Sequence, residues 1–352
     1  MAGFEQAYKG RALGGLPARL IEAMSEAGGA SISLRVRNGE QAAIVEAFEI
    51  IADPDQPLAR RATYVSLFGE IATPDSVEVM LRILDQEHEA LRRAALTSLR
   101  SYEAPEIGAR VLDRHGRFEA STREVARTLL ASRAGWSRQL VAAVDSGQID
   151  AAELPTELVA NMRLHQDRDL LASIDRLWGK LRAPTPEHLR TEIRRVKAAL
   201  AAGNADPYSG KPLFLERCAT CHRLFADGGD AGPDLTGFLR RDLDNMLLSI
   251  IDPDAEVREG YENHVVWTGD GRVITGFKED EDEAVLVIRG VDGQSVSLAR
   301  EGIDEVRVLG TSPMPKGLLD DWSDQQLRDF FAYFRTTQPL VGEPPRAQDQ
   351  DE

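Results

Sequence analysis

Cys218-Ala219-Thr220-Cys221-His222 holds both cysteines of a 352-residue chain. Two thiols at this spacing can each add S–H across one vinyl group of a haem, and the imidazole that follows is carried under the iron as an axial ligand. That is the chemistry of c-type haem attachment. The C-x-x-C spacing also serves zinc sites, disulfide oxidoreductases and plain disulfides. A tetrahedral zinc site needs four protein ligands, and the six histidines form no second ligand pair at zinc-finger spacing. A thioredoxin-like pair sits in a βαβ pattern, whereas the residues before Cys218 read as helix and those after His222 as loop.

The flanks add to the haem reading. Ten residues after His222 comes Gly232-Pro233-Asp234-Leu235. A ligating histidine commonly gives its second ring N–H to a backbone carbonyl, which fixes the ring and raises its basicity. The Pro233 carbonyl is a candidate for that role, although Gly-Pro by itself is also an ordinary turn. In Ser312-Pro313-Met314-Pro315 the prolines hold a thioether on an extended, non-helical segment, which makes Met314 a candidate sixth ligand. Met246 shares a helical face with Leu243, Leu247 and Ile250 and reads as core. Phe214 lies on a helix that runs into Cys218 and is expected beside the haem.

These residues stand in an ordered set: Gly210 to Phe214, Cys218 to His222, Gly232-Pro233-Asp234-Leu235-Thr236-Gly237, Ile250-Ile251-Asp252-Pro253, Gly260-Tyr261, Asp270-Gly271, Thr275-Gly276, Ser312-Pro313-Met314-Pro315 and Leu327 to Phe334. The set resembles the Planctomycete–Verrucomicrobia type of haem-binding cytochrome c domain and covers about residues 205–338. Where that family commonly has Ser-Leu-Met-Pro, this chain has Ser-Pro-Met-Pro, which leaves the sulfur in place. The resemblance implies one covalent haem c, bound by Cys218 and Cys221, with Phe214, Pro233 and Leu235 around it and His222 and Met314 on the iron. It also implies an exported protein whose cytochrome domain closes a larger dehydrogenase behind helical HEAT-like repeats.

The remaining sequence must position that site. Apolar content of 42% and charged content of 28% describe a globular chain with real cores, of two or three domains. From Glu5 to about Gly203 one amphipathic helix follows another, as in Ala42, Ile44, Val45, Phe48 and Ile51. Arg60-Arg61-Ala62 recurs as Arg92-Arg93-Ala94 and Leu67 as Leu99, with a looser third copy at Arg123, Ala126 and Leu130. Helix pairs at such a period read as a HEAT-like α-solenoid. The helix expected over 186–202 reads as part of its cap. Ala202-Gly203-Asn204-Ala205-Asp206-Pro207 marks the boundary. The fold class is therefore mainly α, with a helical-repeat domain over 1–204 and a class I-like cytochrome c domain over 205–338. Strand-like alternation over 263–268, 272–277, 284–289, 295–299 and 303–309, with Asp-Gly turns at Asp270 and Asp292, predicts a small five-stranded insertion at about 261–310. Ser323 with Gln326 opens the last helix, whose Leu327, Phe330, Phe331 and Phe334 are expected to pack on the helix of Phe214. Residues 339–352 read as a disordered acidic tail.

The charge is uneven. Residues 205–352 hold 30 acidic against 15 basic side chains, or −15 of the total −16. This disfavours nucleic acid, which selects clustered Lys and Arg. No apolar run approaches a membrane span, and Met1 to Gly10 reads as neither signal nor anchor. The resemblance implies haem attachment outside the bacterial cytoplasm, so Met1 is expected to begin a mature form or a piece of a longer precursor, with a periplasmic or otherwise exported location. The expectation is electron transfer, not catalysis, from a periplasmic dehydrogenase to a downstream cytochrome, because His–Met ligation fills both axial positions. The rival readings are a haem enzyme, such as a peroxidase or gas-binding protein with a displaceable Met314, and a scaffold with structural haem.

Overall fold

Apolar residues three and four positions apart give the first helices one buried face each, and successive helices pack through those faces. The computed structural model describes residues 32–341 except 74, 87, 180–185, 230, 239 and 241. The helical pattern expected before residue 32 and the tail from 342 onward lie outside the described residues. The described chain is mainly α-helical, with one five-stranded antiparallel sheet and a two-stranded hairpin. None of its helices is long and apolar enough to cross a membrane. Contacts divide the chain into two units, Met1–Leu181 with Asn263–Leu309, and Arg182–Glu262 with Gly310–Glu352.

In the first unit the helices are α1 (Ile32–Arg37), α2 (Gln41–Ala52), α3 (Leu58–Glu70), α4 (Ser76–Gln86), α5 (Glu89–Leu99), α6 (Glu106–Arg114), α7 (Ala120–Ala131), α8 (Ala134–Asp145), α9 (Thr156–Arg163) and α10 (Arg168–Trp178). One apolar core runs through them, from Val36 to Ile174. The repeated segments meet side by side. Ser98 Oγ donates to the Val65 carbonyl at 2.9 Å, and the Tyr102 hydroxyl donates to that of Phe68 at 2.6 Å. The repeated arginine also has a structural task in its first copy, where buried Arg61 donates from Nε to the Ile51 carbonyl at 2.8 Å.

The strands are β1 (His264–Thr268), β2 (Val273–Glu281), β3 (Val285–Arg289), β4 (Ser295–Ala299) and β5 (Ile303–Val308), ordered β4-β3-β2-β1-β5. In the β1–β2 register Val265 faces Thr275 and Trp267 faces Val273, so these four share one side of the pleat. That side meets the helices. Trp267 Nε1 donates to the Leu164 carbonyl at 3.3 Å, Asn161 Nδ2 to Thr275 Oγ1 at 2.7 Å, and the Val273 N–H to the Ser132 carbonyl at 2.9 Å. Val266, Ile274, Leu286, Ile288, Val296 and Leu298 form a separate apolar cluster of the sheet itself. Arg133 binds the first hairpin turn, donating to the Asp270 carboxylate at 2.9 Å, and Arg100 pairs with Asp292 in the second.

The expected five strands are thus present, but their assignment differs. The sequence places them as an insertion within the 205–338 domain, whereas the contacts group them with the helices of the first unit. Complementary arginines at positions 100 and 133 are the physical reason, and no local pattern announces them.

The second unit contains α11 (Pro186–Ala201), α12 (Pro207–Arg217), α13 (Leu243–Ile251) and α14 (Asp324–Phe334). Here too the boundary moves. The sequence assigns α11 to the cap of the helical repeats, but Val196 and Ala199 are buried in the second unit's core with Phe214, Met246 and Phe330. Arg195 of α11 donates to the Leu319 carbonyl at 2.8 Å, and Arg328 of α14 to the Ala199 carbonyl at 3.2 Å.

α12 and α14 form the centre of this unit. Asp206 caps α12, accepting from the Tyr208 N–H at 3.0 Å, and its own N–H donates to Asp329 Oδ1 at 2.7 Å. Ser323 and Gln326 make the expected capping box on α14. The two helices cross so closely that a Cβ at Gly210 would overlap the Asp329 carbonyl. Phe214 is fully buried, 5.6 Å from the Tyr333 ring and 6.5 Å from that of Phe334, as the apolar stripe of α14 requires.

Candidate functional site

The α12 helix delivers the two thiols. It ends at Arg217, and the Cys218 N–H donates to the Phe214 carbonyl at 2.9 Å. The chain then closes one more tight turn, in which the Cys218 carbonyl accepts from the N–H groups of Cys221 at 3.2 Å and His222 at 2.8 Å. Residues three apart on a turn of helical pitch lie on one side of it, which is where two bonds to one planar macrocycle would have to start.

The segment after His222 folds back over this turn. A short hairpin pairs Arg223–Leu224 with Asp227–Gly228. Beyond it, alternate carbonyls of the motif each receive one N–H: Ala219 from Gly229 at 2.7 Å, Cys221 from Gly232 at 2.6 Å, and Arg223 from Leu235 at 2.8 Å. This ladder brings Pro233 to the histidine, and His222 Nδ1–H donates to the Pro233 carbonyl at 2.9 Å. A carbonyl can only accept, so Nδ1 carries the proton and Nε2 keeps its lone pair. Gly232 has to be glycine, since a Cβ there would stand 2.6 Å from Cε1 and 2.8 Å from Nδ1 of the ring. The loop thus packs flat against the imidazole.

Electrostatics bear on what the site can do. Burial, with the neighbouring Cys221 adding to it, pushes the Cys218 thiol up to about 12. A disulfide-exchange nucleophile is instead lowered towards neutrality, so this microenvironment does not suit a thioredoxin-like role. Burial also lowers the His222 pKa, against the opposing effect of the Pro233 hydrogen bond, which favours the neutral, ligating imidazole. Neither cysteine forms a disulfide among the described residues.

Around the turn, Leu235 and Ala219 pack against the core that contains Phe214. Met246 is 1% exposed within the same core, in keeping with its place on the apolar face of α13. Met314 is half-buried and stands in a stretch without helix or strand, where its N–H donates to Ser312 Oγ at 3.1 Å. Among the described residues it lies outside the apolar cluster of Phe214. Two residues on either side of it are tied to Asp254, a contact no motif indicates: the Ser312 N–H donates to Oδ1 at 2.7 Å and Lys316 Nζ to Oδ2 at 2.5 Å.

The donor set suits a covalently attached haem. Two thiols outside any disulfide share a turn with an imidazole whose Nδ1 is held by a backbone carbonyl, so that Nε2 keeps its lone pair. Among the described residues no group of three or more His, Cys, Asp and Glu side chains could hold a metal ion by itself. No protein-family model matches the chain, and no curated protein matches it.

Proposed function

We propose that this protein is an exported mono-haem c-type cytochrome that relays electrons, joined to a HEAT-like helical-repeat domain. The observation that carries the reading is the His222–Pro233 hydrogen bond beside Cys218 and Cys221 on one turn, which gives the imidazole the tautomer and orientation an iron ligand needs. The crossing of α12 and α14 over Phe214 supports a class I-like cytochrome fold for the second unit. Contacts such as Ser101 Oγ to the Gly69 carbonyl at 2.6 Å, at the same 32-residue offset as Arg60 and Arg92, support a solenoid for the first.

Haem, when bound, supplies a one-electron ferric–ferrous couple whose potential is set by its axial ligands and burial. The chain's own groups do the rest. Cys218 and Cys221 would hold the haem as thioethers, each by addition of its S–H across one vinyl group, which needs no oxidant. The Pro233 carbonyl holds the Nδ1 proton of His222, and His222 and Met314 would together hold the iron, which would leave no position on it for substrate. Phe214 and Leu235 would shield the macrocycle from water.

The donor in this reading is a periplasmic dehydrogenase and the acceptor a downstream cytochrome. Electrostatic steering would be weaker than the −15 of residues 205–352 suggests. The second unit, taken with α11 and without the strands, has 22 acidic against 15 basic side chains, or −7. The test is the spectrum of protein expressed with the periplasmic haem-attachment machinery, followed by acid-acetone extraction. Haem that stays with the denatured polypeptide supports the reading, and protein that holds zinc or releases its haem refutes it.

A further inference from the structure

Met314 has no secondary structure to hold it, yet a ligating thioether must be presented within a few tenths of an ångström of one position. Pro313 and Pro315 stiffen the segment but do not anchor it. The anchor comes from another part of the chain. α13 stops at Ile251, Pro253 is buried, and the Ala255 N–H donates to the Asp252 carbonyl at 2.9 Å, a turn that aims Asp254 at the methionine segment. The two oxygens of that carboxylate then divide the work. Oδ1 accepts the Ser312 N–H at 2.7 Å, and Oδ2 meets Lys316 Nζ at 2.5 Å. Lys316 also stands 4.0 Å from Asp252. One carboxylate therefore grips the chain two residues before and two residues after Met314.

We propose that Asp254 is the positioning residue for the Met314 sulfur, so that the end of α13 controls whether the sixth coordination position is filled. This rests on the haem reading above. Removing the carboxylate releases the Ser312 N–H and takes the 2.5 Å partner from Lys316, whereas the adjacent prolines keep the segment extended without fixing its position. Ligation then becomes partial while the covalent attachment at Cys218 and Cys221 is untouched.

The experiment compares Asp254→Ala, Asp254→Asn and Lys316→Gln with Met314→Ala in the haem-loaded, full-length protein. Three readouts are followed: the far-red sulfur-to-iron band, the reduction potential, and amide exchange at Ser312 and Met314. Asp254→Ala should lose most of the band, lower the potential towards that of Met314→Ala, and exchange the Ser312 amide about tenfold faster or more. Asp254→Asn keeps an acceptor for Ser312 and should recover most of the band. Lys316→Gln keeps the Ser312 bond and should behave similarly. If Asp254→Ala keeps the wild-type band and potential, the positioning role is overturned, even where exchange accelerates. If Met314→Ala itself leaves the band unchanged, the ligand assignment fails instead, and unchanged exchange in Asp254→Ala overturns the anchor by itself. Should Asp254→Ala not fold, Asp254→Leu keeps the side-chain bulk while removing both acceptor oxygens and must weaken the band, or the proposal falls.

Discussion

Arg100 donates to the carboxylate of Asp292, 192 residues further along, in an ion pair from which water is nearly excluded: 4% and 0% of the two side chains are exposed. It joins α5 to the turn between β3 and β4, and with Arg133 and Asp270 it fixes two of the three hairpin turns of the sheet to the helices. Taking one member from such a buried pair leaves an unpaired charge, which costs about 3–5 kcal/mol, whereas replacing both by apolar residues is often neutral. Asp292→Ala should therefore lower first-unit stability by that amount in denaturant unfolding, and Arg100→Met with Asp292→Leu should recover most of it. Equal losses from the single and double variants would show that the pair contributes packing and not charge.

Glu124 lies on α7 near the same pair, and its carboxyl is pushed up to about 7, first by burial and then by the charge of Asp292, against the pull of Arg127. A carboxyl raised above its ordinary value of 4.5 holds its proton to higher pH in the folded state than in the unfolded one. Its stabilising contribution is full below about 4.5 and is lost as pH rises through about 7. His115 acts oppositely, because burial lowers it to about 4, so its contribution is present above its unfolded value and lost as pH falls through 4. The difference between Glu124→Gln and wild type isolates the carboxyl. The variant should gain stability relative to wild type between pH 5 and 8, by up to about 3 kcal/mol. A flat difference curve in urea titrations across that range contradicts the shift.

Met246 and Met314 should separate cleanly. Met246 is packed into the second unit's core, so Met246→Ala should cost about 2–5 kcal/mol and leave the far-red ligand band intact. Met314→Ala should abolish that band, lower the potential and open the iron to carbon monoxide. Absorption spectra with and without carbon monoxide, beside thermal melts, distinguish the two, and the reverse pattern reassigns the ligand to α13.

Gly232 offers a test of the histidine's orientation that leaves every ligand in place. A methyl group at this position meets the His222 ring at 2.6 Å, so Gly232→Ala must displace either the ring or the loop carrying Pro233. The expected result is a lowered potential with haem still covalently bound. An unshifted potential would mean that the loop yields and the ring does not depend on it.

Local periodicity was enough to read much of this chain. Each of the five strands is legible because apolar residues alternate between Asp-Gly turns, and α14 because Leu327, Phe330, Phe331 and Phe334 follow a capping box. Cys218, Cys221 and His222 are adjacent in sequence, and the neighbouring Pro233 is near enough for a short loop to bring it back, so the core of the candidate site could be read directly. Longer-range relations decided the rest. The strands join the helices because Arg100 meets Asp292 and Arg133 meets Asp270, pairs separated by 192 and 137 residues. α11 belongs to the second unit because Arg195 finds the Leu319 carbonyl, although its own pattern resembles that of the helices before it. Asp254 could not be singled out, since an aspartate after a proline reads as a turn residue. Its grip on Ser312 and Lys316 depends on bringing two distant segments together, which only tertiary packing does.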